Sequence, residues 1–104
     1  SPDTMPQDSA SLETLTVVSV EGTSSGQTMA YVNPAKSSSN KYFYKTGSAP
    51  LTYPAYGEVV TQTSWDGKAG IAATSGQQIM IIETDAAGKA LKAGVATVTA
   101  KAGS

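Results

Sequence analysis

The residues able to do chemistry are few and scattered. The 104-residue chain has neither His nor Cys. That removes a Ser-His-Asp triad, a thiol nucleophile, the usual structural zinc site and the side chain that titrates near neutrality. Carboxylates and aromatics remain. Glu58, Asp66, Glu83 and Asp85 carry oxygens of the kind Ca²⁺ needs, but none falls in a dense Asp-x-Asp spacing. They read as solvated charges of loops and strand edges, so no metal and no other cofactor is expected. Glycoside hydrolysis needs two carboxylates facing across a cleft, and one small domain leaves little room for one. The expectation is a protein that is not an enzyme.

Aromatic residues offer the other chemistry. Trp65, the single Trp, lies in Ser64-Trp65-Asp66-Gly67-Lys68, and Tyr53 and Tyr56 precede it in the same irregular stretch. Together they could form a platform for a sugar ring. The plainer role for Trp65 is to fill the core or cap one end of the fold, because aromatics dominate burial in small domains. Tyr42 and Tyr44 alternate with Phe43, so one face of that strand should enter the core and the other should meet a neighbour. Met5 and Leu12 are the large apolar residues of the N-terminal stretch, and they are the candidate anchors if it docks on another subunit.

Charge narrows the partners. Charged residues make up 14% of the chain, against about 25% in an ordinary domain, and seven Lys face eight acids for a net charge of −1. There is no Arg, and nucleic-acid recognition leans on clustered Lys and Arg, so nucleic acid is not expected. No apolar run is long enough to insert into a membrane. The chain begins at Ser1 without an initiator Met, which reads as a processed chain or an excised domain.

Positioning these residues falls to short strands. Residues 1–13 contain Pro2 and Pro6 and show no periodicity, so they read as a linker or assembly arm, with the folded domain at 14–104. Thr14–Glu21, Gln27–Asn33 and Lys41–Thr46 read as strands, the second with Met29 and Tyr31 on one face and Thr28, Ala30 and Val32 on the other. Gly47–Gly70 reads as a long loop with one short strand at Glu58–Thr63, and loops of this length are usually functional or mobile. Ile71–Thr74 follows as a short strand. Ile79-Met80-Ile81-Ile82 is an unbroken apolar run suited to a strand buried on both faces. Lys89–Lys92 and Val95–Lys101 complete the set, separated by a bend at Ala93-Gly94. About seven short strands joined by turns describe an all-β antiparallel sandwich.

Two segments carry a family likeness. Tyr31-Val32-Asn33-Pro34-Ala35, followed by Asn40-Lys41 and Tyr42-Phe43-Tyr44, resembles the strand end, Asn-Lys turn and aromatic strand of group 2 bacterial immunoglobulin-like domains. Asp85 to Ala100 resembles that family's closing pattern of an Asp-x-x-Gly turn, a Lys-Ala-Gly bend and an alternating Ala-Thr-Val-Thr strand. The long Ser48 to Gly76 excursion departs from it.

The resemblance implies an immunoglobulin-like β-sandwich, placed outside the cell on a bacterial surface or in a phage particle. It implies a non-catalytic structural module, a subunit, decoration or spacer domain, with protein partners or self-association. An adhesion module that binds a carbohydrate or receptor through Trp65, Tyr53 and Tyr56 is the alternative. The internal Lys–Asn isopeptide bond of some such domains is not expected, because Thr14–Glu21 holds no Lys and Val95–Lys101 no Asn.

Overall fold

The structure, a computed structural model, describes residues 12–48 and 50–102. All regular structure among them is β. Eight strands follow in order: β1 (Glu13–Thr14), β2 (Thr16–Glu21), β3 (Gln27–Asn33), β4 (Lys41–Gly47), β5 (Thr63–Trp65), β6 (Ile71–Ala72), β7 (Gln78–Thr84) and β8 (Ala90–Thr97). One sheet has the order β1-β8-β7-β4-β5 and the other β2-β3-β6. Every pairing is antiparallel except that of β1 with β8, which is parallel. The chain is an immunoglobulin-like β-sandwich, as the strand spacing and the closing pattern had implied.

The apolar run in β7 organises both sides of the larger sheet. Side chains alternate across a strand, so Ile79 and Ile81 face the interior. There they join Leu15, Val17, Ala30, Tyr42, Trp65, Ile71 and Val98. Met80 and Ile82 face the other way, yet they are as buried as the interior isoleucines. They sit in a second cluster with Val60, Ala90 and Ala93, flanked by Leu12, Phe43, Leu51 and Val95. Leu51 and Val60 belong to the long loop, which folds back over the outer face of the sheet. Backbone hydrogen bonds hold it there: Gly57 N donates to Ala90 O, Ala90 N to Glu58 O, and Val60 N to Gly88 O, each at 2.8 Å. The expectation of a strand buried on both faces is met, and the loop supplies the second cover.

Three boundaries differ from expectation. The first strand is two strands, because the chain changes sheets at Leu15: Glu13 and Thr14 pair with Lys92 and Ala93, whereas Thr16 onward pairs with β3. Burying Leu15 between the layers drives the crossing, and Leu15 N keeps its hydrogen bond to Ala93 O at 2.9 Å. The strand expected at Glu58–Thr63 lies instead at Thr63–Trp65, where Ser64 pairs with Phe43, and Val59 makes only an isolated bridge to Lys89. Finally, β8 does not break at Ala93-Gly94 but runs through it. Gly94 is needed because Leu15 passes directly over it. Of the expected 1–13 arm, residues 1–11, Met5 included, lie outside the described residues, while Leu12 packs on the second cluster.

Buried hydroxyls tie the smaller sheet to the end of the chain. Thr28 is fully buried; its hydroxyl donates to Val20 O at 2.8 Å and accepts from the Ser19 hydroxyl. Ser19 Oγ in turn accepts from Thr99 N at 2.9 Å. The Thr28 and Ser19 hydroxyls thereby find the partners that burial demands.

Candidate functional site

Trp65 owes its position to the turn that follows it. Asp66 Oδ1 accepts from Lys68 N and Ala69 N, both at 2.8 Å, and Gly67 takes φ +85°, which only glycine adopts readily. The turn brings Ala69 O to 2.9 Å from the indole Nε1, which donates to it. The two backbone N–H donors hold the Asp66 carboxyl below the usual carboxylate range. With its N–H satisfied, the indole lies inside the sandwich, its ring centroid 5.4 Å from that of Tyr42. It is 8% exposed.

That placement separates the three expected sugar-platform residues. Tyr53 and Tyr56 are about half exposed and lie on the long loop. With Pro54, Leu12 and Glu13 they flank a groove of about 350 Å³ beside β1. Trp65 instead lines a separate concavity with Tyr31, Lys36 and Tyr42. The structure brings Tyr53 and Tyr56 together and leaves Trp65 out.

Tyr42 and Tyr44, the residues expected to make a lateral contact, lie on the interior side of β4. Tyr42 is buried in the interior, and Tyr44 packs partly buried against the same cluster. Phe43, on the other face, is covered by the chain's own loop cluster. Sequence alternation identified two faces on β4, but a fold-back of the loop supplied the neighbour.

The buried acid opposite Tyr42 is Glu83, which is fully enclosed. Its Oε2 accepts from Asn40 Nδ2 at 2.7 Å and from Ser37 N at 3.4 Å, tying the 37–40 loop to β7. Its Oε1 has no partner among the described residues. Burial, reinforced by the charge of Glu83, raises the Tyr42 hydroxyl above its ordinary value of 10.0, while a backbone hydrogen bond from Lys36 pulls the other way. The neutral phenol is the form the fold favours. Its contribution is therefore complete below pH 10 and is lost as pH rises through the raised folded value. Stability measured by denaturant titration should fall above pH 10, and Tyr42→Phe should lessen that fall. Parallel alkaline profiles for the two proteins would contradict it.

The outer face of the smaller sheet was not singled out from sequence. Val18, Val20 and Tyr31 are exposed there, at 50%, 38% and 61%. Pairing sets Val18 opposite Tyr31 and Val20 opposite Met29. The signal was the Met29/Tyr31 alternation in β3, but alternation does not say which face is the core. No group of three or more His, Cys, Asp or Glu residues among those described could hold a metal ion. Among the described residues no helix is long and apolar enough to cross a membrane.

Comparison with known proteins gives a consistent pattern. Residues 20–101 match the family model of the S-layer protein SbsC C-terminal domain. The fold is similar to a solved structure of S-layer protein SbsC domains 7, 8 and 9, with a TM-score of 0.70, 23% identity, and coverage of 91% of this chain and 33% of that one. It is also similar to a structure of SbsC domains 4–9, with a TM-score of 0.67, 25% identity, and coverage of 89% and 15%. The chain thus spans a third or less of the solved proteins it resembles. No curated protein matches it.

Proposed function

The chain belongs to the S-layer protein SbsC C-terminal domain family, and on that premise we propose that it is a structural module of a self-assembling protein layer on a bacterial cell surface. The observation that carries the proposal is the family match over residues 20–101. The fold agrees with it: both large faces of the five-stranded sheet are packed, one against the other sheet and one beneath the long loop. Such a sandwich works as a stiff building block. The role is non-catalytic, and its partners are proteins, foremost other copies of the same layer.

The relatives favour a bacterial surface over a phage particle as the setting. The matching family model is that of the SbsC C-terminal domain and not specifically that of group 2 immunoglobulin-like domains, which Asp85 to Ala100 resemble. A turn at Gly88 with φ +86° is followed by a strand that needs a glycine where another strand crosses.

Two measurements on cells test the assignment. Antibodies against this chain should label the exterior of intact bacteria, and in-frame deletion of residues 12–102 should disorder the regular surface array seen by electron microscopy. Label confined to broken cells, or an unaltered array, would refute it.

A further inference from the structure

The two sheets end differently on their outer sides. The long loop covers the larger sheet, whereas nothing among the described residues covers the smaller one. Its outer face presents Val18, Val20, Met29 and Tyr31 as two directly opposed cross-strand pairs. Thr16 and Asn33, also opposed, continue it. None of the outward positions of β2 and β3 carries a charge. Contiguous exposed apolar surface is uncommon on a monomeric soluble domain, and loss of charge marks the centre of an interface.

We propose that this face is a contact surface for a second copy of the same chain, packed face to face about a two-fold axis near the Val18–Tyr31 pair. Two properties select this occupant. Near the axis of a two-fold contact each group approaches its own duplicate, so a charge there would meet a like charge. A face without charges escapes that penalty, while a partner of opposite charge would find nothing to pair with.

Size is the second property. A face of this kind, roughly 20 Å along the strands and 10–14 Å across them, buries only about a third of the ~800 Å² per partner of a standard stable complex. Such a contact is weak alone and becomes effective when many linked copies repeat it. The inference rests on the surface-layer reading and adds to it the surface used and the symmetry of the contact.

The absence of Cys from the whole sequence makes the test clean. A single Val18→Cys substitution places one thiol at the centre of the face, and a short bis-maleimide can then join only two copies. Ser38→Cys, on an exposed loop outside β2 and β3, is the control for random collision. Crosslinking of the Val18→Cys protein should be at least ~10-fold faster than the control at equal concentration, as a raised effective concentration requires. Adding Tyr31→Lys, which sets a charge against its own copy, should erase the difference with the circular dichroism spectrum unchanged. Equal rates for the two thiols, or indifference to Tyr31→Lys, would overturn the face assignment. The array-deletion experiment judges the surface-layer reading separately, since an array lost on deletion despite equal crosslinking rates would leave that reading in place.

Discussion

Replacing Gly94 with alanine is expected to destabilise the fold by about 3–4 kcal/mol, a drop in Tm of roughly 12–30 °C for a domain this size. The cause is a strand crossing. At Leu15 the chain passes from the larger sheet to the smaller one and runs over β8 where Gly94 sits. A Cβ there would overlap the Leu15 carbonyl oxygen and stand 2.8 Å from its carbonyl carbon and 2.9 Å from Val17 Cγ2. Two of these atoms are backbone, and Leu15 N is tied to Ala93 O, so the crossing cannot yield by turning a side chain. Gly88→Ala is the matched control. It has open space around it but φ +86°, so only the left-handed backbone penalty of about 1–2 kcal/mol applies. Denaturant unfolding of both variants checks the claim. Similar losses for the two would show that the crossing is looser than drawn.

Trp65→Ala should cost about 3–5 kcal/mol, the usual range for deleting a buried large aromatic. The loss has three physical parts: the vacated volume, the ring contact with Tyr42 and the hydrogen bond to Ala69 O. As the single Trp, it also reports its own surroundings. Its fluorescence should be blue-shifted and resistant to acrylamide quenching in the native protein. Red-shifted emission that acrylamide quenches freely would contradict burial. The same placement bears on the sugar-platform reading. A loss of glycan binding in Trp65→Ala would report damage to the fold, whereas Tyr53→Ala and Tyr56→Ala alter an exposed groove. Those two variants are the proper test of that surface.

Much of this protein could be read from residue order because the relevant physics is local. The composition and the short alternating runs fixed the all-β class, and the Ile79–Ile82 run declared a strand covered on both sides. The turns at Gly26 and Gly88, both with positive φ, fell where Gly-containing clusters placed them. The absence of His and Cys removed the chemistries that depend on those two side chains.

What residue order could not decide were questions of contact between distant segments. Whether Trp65 joins Tyr53 and Tyr56 depended on which side of one sheet each loop end came to rest, and they came to rest on opposite sides. Whether Tyr42 met a neighbour or the core depended on the long loop folding over Phe43. Whether Met29 and Tyr31 faced in or out turned on burial of Leu15 and Val17, which set the register of β2 against β3. A two-residue period defines two faces equally well; only the packing of the other sheet chooses between them. The chemistry at Trp65 that the residue types first suggested thus became a structural anchor. The surface with most to offer a partner is one whose residues, taken singly, carry no chemistry at all.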